Sequence, residues 1–216
     1  KSGTEVSYAR PDAQGIARMT ELRDRRGNRM RFEYNSQGQL VRVLDTLGRP
    51  IVYRYNSDRR LAEVEDFIGR KVRFQYDPNG DLVAMASPAV TGTPNGNDFP
   101  AGKTTRYRYS LGFSDPRLNH NLLEVIAPNE VASGGPPRVR VEYETNLASP
   151  NVDRVLRQTI GGVNETGVPA GGPISYDYRV LGAAAAGDFN TPVIQNTVTD
   201  RNGNLTEYQF NQLGNI

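Results

Sequence analysis

The chain has no cysteine and no tryptophan, and only one histidine. Without thiols there is neither a disulfide framework nor a thiolate metal site, and cysteine usage says nothing of the redox compartment. No apolar run approaches the roughly 18 residues that span a bilayer as a helix, and the opening KSGTEVSY lacks a signal-peptide hydrophobic region. An excess of charge is missing too: 26 Lys and Arg stand interspersed among 24 Asp and Glu, for a net +2. So even a balance creates no steering field for nucleic acid.

Turn formers and tyrosine are abundant instead. The 216 residues include Gly 22, Pro 14 and Tyr 11, with hydrophobic residues at only 37%. That mixture suits many short strands separated by turns, so the expected fold class is all-β. A chain of this length buries a core only if its strands close on themselves or on one another.

Three consecutive segments superpose without gaps: DRRGNRMRFEYNSQGQLVRV, DTLGRPIVYRYNSDRRLAEV and DFIGRKVRFQYDPNGDLVAM. They open at Asp24, Asp45 and Asp66, and their tyrosines Tyr34, Tyr55 and Tyr76 recur every 21 residues. The shared pattern is D-x-x-G-x-x-x-x-aromatic-x-Tyr-N/D-x-x-G-x-L-x-x-V. A further copy starts at Asp200, with Tyr208 and Phe210 in the aromatic positions and Gly214 in the second turn, after which the sequence stops partway through a hairpin. It therefore reads as a fragment, or as a chain whose final strand pairs elsewhere. Between these lie three longer units centred on Tyr109, Tyr143 and Tyr178, with tyrosine spacings of 33, 34 and 35. Their extra residues fall in SPAVTGTPNGNDFPAG, APNEVASGGPP, GGVNETGVPAGG and LGAAAAGDFNTP, which read as inserted surface loops.

Each unit is expected to form one β-hairpin. Phe32 and Tyr34, or Tyr53 and Tyr55, stand two apart and project to one face of a strand, while Glu33, Arg54, Gln75 and Arg108 project to the other. In YDPNGDL, Asp77 bonds the turn backbone, Pro78 pre-sets φ and Gly80 supplies a positive φ; Asn35 and Gly38 make the same turn without proline. The second unit has Asp58, Arg59 and Arg60 where glycine is due, so that turn should be looser or strained. Leu40, Leu61 and Leu82 lead the returning strands. Two turns per unit leave strands of about six residues, and neighbouring hairpins must stabilise one another because a lone hairpin is marginal in water. The expected organisation is a single repeat region over 1–216 of about seven hairpins: regular units over about 20–85, looped units over about 86–197 and a partial unit over 198–216.

The Tyr-Asp/Asn-x-x-Gly-x-Leu core with its Gly-Arg lead-in resembles the Rhs/YD repeat of bacterial polymorphic toxins, insecticidal toxin complexes and teneurins. That resemblance implies hairpins coiled into a hollow β-shell around a toxic polypeptide, of which this chain would be a curved arc. It implies as partners the rest of the parent shell and the enclosed polypeptide, and a secreted or cell-surface parent. The family's shell-closing signature, DPxGL, is absent; Asp77-Pro78-Asn79-Gly80-Asp81 lacks its leucine, so neither an autocleavage site nor a toxin domain is expected in these residues.

No constellation of catalytic, cofactor-binding or metal-binding residues emerges, and the chain is expected not to be an enzyme. His120 would need a serine and a carboxylate brought to it by the fold, with no nucleophile-elbow motif to support that. Glu63, Glu65 and Asp66 fit no Ca²⁺-loop spacing, and Gly161-Gly162 and Gly171-Gly172 lack the context of a phosphate loop. The Arg/Tyr interleaving of TRYRYSLGF follows from strand alternation, without a single-stranded nucleic acid partner. The alternative function is a binding module for carbohydrate or a receptor through tyrosines such as Tyr107 and Tyr109 and through the inserted loops. Exposed strand edges are expected to favour self-association.

Overall fold

The computed structural model describes residues 3–96, 98–161 and 171–216. Part of the loop expected over GGVNETGVPAGG, residues 162–170, lies outside the described residues, as does Asn97. The fold is all-β and consists of tandem antiparallel hairpins, with fifteen strands among the described residues.

The chain divides into two compact units, Lys1–Asp77 with Ala84–Thr104, and Pro78–Val83 with Thr105–Ile216. In the first unit run β1 (Glu5–Tyr8), β2 (Met19–Arg23), β3 (Arg29–Tyr34), β4 (Leu40–Leu44), β5 (Pro50–Tyr55), β6 (Leu61–Glu65) and β7 (Lys71–Tyr76). Each pairs antiparallel with its neighbour in sequence. β8 (Leu82–Ala86) falls across the division. In the second unit, β9 (Thr104–Tyr109, all but its first residue), β10 (Leu122–Ile126), β11 (Val139–Tyr143), β12 (Val155–Ile160), β13 (Gly172–Val180), β14 (Ile194–Thr199) and β15 (Leu205–Phe210) pair in the same way. The repeat thus extends back to β1, with Tyr8 in the tyrosine position, ahead of where the sequence pattern becomes regular.

Alternation gives each strand two unlike faces. Across β3, β4 and β5 the register aligns Phe32, Val43 and Ile51, and across β5, β6 and β7 it aligns Tyr53, Val64 and Val72. Val43, flanked by two apolar partners, is 4% exposed, whereas most of the apolar face is only half-buried. The opposite face is ionic. Arg54, Glu63 and Arg73 lie in one row, joined by Arg54 Nη1 to Glu63 Oε1 at 2.8 Å and Arg73 Nε to Glu63 Oε2 at 3.2 Å. In the second unit Arg108, Glu124 and Arg140 repeat it at 2.8 and 3.2 Å. Opposite charges facing each other across strands favour the pairing register.

One stretch expected as plain loop contains a helix. Pro128–Ser133 forms α1, a short α-helix with proline in its first turn, which closes at Gly134 in the left-handed conformation (φ 69). Proline at the start and glycine at the end are the usual helix punctuation, here at a scale too short for periodicity to reveal.

Candidate functional site

Four tyrosines of the repeat act through their hydroxyls. Tyr34 Oη donates to the carbonyl of Met19 at 3.0 Å, Tyr55 to that of Leu40 at 2.8 Å, and Tyr76 to that of Leu61 at 3.0 Å. Tyr143 does the same to Leu122 at 3.2 Å. Each acceptor is the residue directly opposite the preceding repeat's tyrosine: Met19 faces Tyr8, Leu40 faces Tyr34, Leu61 faces Tyr55 and Leu122 faces Tyr109.

A gap in the strand ladder creates the need for this bond. Beside each such tyrosine the register slips by one residue, leaving Thr20, Val41, Ala62, Leu123 and Leu156 without a direct partner in the hairpin. Such a bulge twists the strand away from its next neighbour. Accordingly the β4 to β5 ladder ends at Arg42 opposite Val52, and the β6 to β7 ladder at Glu63 opposite Arg73. Leu40 and Leu61 lie past those ends, and the next repeat's hydroxyl supplies the donor that a backbone amide does not. Burial raises the Tyr55 phenol above its ordinary pKa, and burial together with the Asp153 charge raises that of Tyr143. At Tyr178 burial again raises the value, opposed by Arg154.

Phe210 follows from the same geometry. Its strand pairs with β14 without a slip, through six successive partners from Ile194 opposite Phe210 to Thr199 opposite Leu205. With no gap in the ladder, an aromatic ring without a hydroxyl serves there. Asn196 stands opposite Tyr178 in β13, where the regular repeats carry leucine.

The two turns of each repeat are one and the same structure. At Asp45 the carboxylate Oδ1 accepts the amides of Leu47 and Arg49, both at 2.9 Å, while Gly48 N donates to Asp45 O at 3.0 Å. At Asn35 the side-chain oxygen accepts from Gln37 and Gln39 at 3.0 and 2.9 Å, and Gly38 N donates to Asn35 O at 2.9 Å. Asp12, Asp24, Asn56, Asp66, Asp200 and Asn211 open turns of the same design. The fourth residue is left-handed, which is why glycine recurs there, with Gly38 at φ 77 and Gly214 at φ 79. Arg59 adopts it at φ 63, and its turn keeps closing bonds of 2.9 and 3.0 Å. That turn is therefore strained at one residue and no looser than its neighbours.

The left-handed position accounts for all three non-glycine residues of positive φ among the described residues: Arg59, His120 and Asp153. In the looped units the insertion opens inside the turn and leaves its closure intact. Ser110 N donates to Asn121 O at 2.8 Å, His120 N to Ser110 O at 2.9 Å and Asn121 N to Ser110 Oγ at 3.0 Å, reproducing the bonds of the five-residue turn. Glu144, Asp153 and Arg154 close the next looped turn through bonds of 2.8 Å.

Successive turns are also laced together. The residue before each leucine position reaches the left-handed residue of the next turn: Arg18 Nε to Gly38 O at 3.1 Å, Gln39 Nε2 to Arg59 O at 3.1 Å, and Asn121 Nδ2 to Asp153 Oδ1 at 2.6 Å. Asp81 and His120 stand in the same relation, with Oδ2 2.8 Å from Nδ1. This explains the lone histidine. The fold does bring it a carboxylate, but Ser110 Oγ gives its one proton to Leu118 O at 2.6 Å. A serine so committed is not a nucleophile paired with that imidazole.

The acidic cluster is likewise spoken for. Glu63 is held below the usual carboxylate range by the Lys71 hydrogen bond and by the charges of Arg54 and Arg73. Glu65 accepts from Arg54, and Asp66 opens a turn. Among the described residues no group of three potential ligands converges on a metal position, and no helix is long and apolar enough to cross a membrane.

Residues 34–67 match the family model described as RHS Repeat. No curated protein matches the chain. Among solved structures, the Photorhabdus luminescens Tc holotoxin pore with a mutated TccC3 is similar over 98% of this chain and 14% of that one, at 12% identity and a TM-score of 0.28. The TcdB2-TccC3-Cdc42 structure is similar over 95% and 14%, also at 12% identity and 0.28. The chain thus spans about one seventh of the solved chains it matches, and TM-scores of this size carry no argument about function.

Proposed function

We infer, from the premise that residues 34–67 are an RHS repeat, that the chain is a structural, non-catalytic length of wall in an RHS-type β-shell that encloses a polypeptide cargo. One observation carries this reading: every regular repeat completes the hydrogen bonding of the repeat before it through a tyrosine hydroxyl. A hairpin built this way is stabilised by its neighbours and propagates in one dimension, as a wall must. The engaged state of His120, Ser110 and the Glu63 cluster is in keeping with a role that needs no reacting group. In this reading the arc curves into the shell of a secreted parent, and its partners are the remaining repeats and the enclosed chain.

Limited proteolysis of the native parent protein tests it. The repeats should persist together with a second polypeptide that becomes cleavable only once the repeats are unfolded. A native protein in which no segment outside the repeats gains protection would overturn the encapsulating role.

A further inference from the structure

Two departures from the repeat rule meet at one cavity in the second unit. A recess of about 300 Å³ is lined by Arg154, Tyr178, Val193, Ile194, Asn196 and Phe210, and by the turn residues Asn211, Gln212 and Gly214. In volume it lies at the lower end of sites that hold small organic groups. Its wall is aromatic and cationic, with the Arg154 guanidinium carbon 4.9 Å from the Tyr178 ring centroid. Its floor is aliphatic. Asn196 occupies the place that Leu40 and Leu61 hold in the regular repeats, opposite a tyrosine.

The carboxamide oxygen of Asn196 is buried and accepts no hydrogen bond. Leaving such an acceptor unmet costs on the order of 1–3 kcal/mol, whereas leucine in its place would cost nothing of the kind. The ring that carries a hydroxyl for the main-chain carbonyl in a regular repeat is here Phe210, which has none to offer the side chain either. The pocket therefore combines stacking surface, an aliphatic floor and one acceptor in want of a donor.

We propose that this recess is a binding site for the phenol side chain of a tyrosine presented by an extended segment of another polypeptide. The ring would lie against Tyr178 and Phe210, and its hydroxyl would donate to Asn196 Oδ1, whose terminal torsion is soft enough to turn toward an arriving donor. The occupant is chosen by the molecule's own chemistry: at Met19, Leu40, Leu61 and Leu122 this sheet meets a main-chain carbonyl left outside its ladder with a tyrosine hydroxyl from an adjoining strand, and the carboxamide oxygen of Asn196 is an acceptor of the same amide kind. The assignment stands independently of whether the chain walls a shell.

The test uses the full 216-residue chain with N-acetyl-tyrosinamide and N-acetyl-phenylalaninamide as probes, followed by NMR at the Asn196 side-chain amide and the Gly214 backbone amide. The tyrosine amide should shift both signals at concentrations about tenfold lower than the phenylalanine amide, the size expected for one hydrogen bond to an otherwise unmet acceptor. N196L should abolish that preference, and N196D, which keeps an acceptor oxygen, should retain it. Equal responses to the two amides, or none, overturn the proposal. Stronger shifts with a methyl hexoside would replace the phenol with a sugar and overturn it too.

Discussion

Tyr55 Oη lies 2.8 Å from the carbonyl oxygen of Leu40, a residue that faces the previous repeat's tyrosine and sits beyond the end of the ladder between β4 and β5. A single phenolic proton thus joins β5 to β4 where their ladder has already ended. Removing it leaves a half-buried carbonyl without its donor. Y55F is expected to lower stability by about 1 kcal/mol, the usual net worth of such a bond, read as a shift in the urea midpoint at constant slope. An unchanged midpoint would show that water serves Leu40 as well as the hydroxyl does. F210Y, where the ladder has no gap, should bring no comparable gain in the opposite direction.

The same hydroxyls predict an alkaline limit to the fold. The phenol pKa values of Tyr55, Tyr143 and Tyr178 are raised in the folded chain, chiefly by burial. The neutral form is therefore favoured by folding, and the associated stability is fully present below the unfolded value of about 10. It is lost as pH rises through the higher folded values. Urea midpoints should fall between about pH 9 and pH 11, and Y55F should fall less steeply than the parent chain.

Acid acts on the turns instead. Asp45 is held below its ordinary 3.8, first by the Arg49 amide and then by the Arg49 side chain and the Leu47 amide. Asp24 and Asp200 are lowered by the side-chain amides of Asn28 and Asn204 and by turn amides. A depressed folded pKa contributes stability above the unfolded value that disappears as pH falls through the folded one. D45N keeps the acceptor oxygen, as the Asn35 and Asn56 turns do naturally, and should protect the Gly48 amide from hydrogen exchange at pH values where the parent turn has opened. If the two exchange alike across that range, the carboxylate is not the acid-sensitive element.

Arg59 offers the reverse experiment. It holds φ 63 at a position where the equivalent turn has Gly38. A left-handed conformation costs an ordinary residue roughly 1–2 kcal/mol, partly offset by the greater freedom of glycine in the unfolded chain. R59G should therefore raise stability by about 0.5–1 kcal/mol, while G48A at φ 77 should lower it by about 1 kcal/mol. Both are read from denaturation midpoints, and a destabilised R59G would mean that the exposed Arg59 side chain makes a contribution larger than its strain.

Much of this is legible in the sequence. The pairs Phe32 with Tyr34 and Tyr53 with Tyr55 set the faces of their strands, and Asx five residues before a strand with glycine fourth in the turn set the hairpins. What stayed hidden has physical causes of three kinds. A slip at Val41 or Ala62 leaves no trace in alternation, because it is decided between strands and not within one. The role of His120 was hidden because its turn partner Ser110 lies ten residues away with a loop between them, so local spacing could not join the two. The helix at Pro128–Ser133 is too short to show a period.

The way Ser110 and Asn121 close over their insertion has a consequence for how such a chain can change. Strand pairing is fixed by the two residues where the loop departs and returns, and the count of residues between them enters nowhere in the ladder. Sequence can be gained, lost or exchanged along that margin with the stacking order of the strands unaltered. The sheet keeps one invariant text, and its borders are free for annotation.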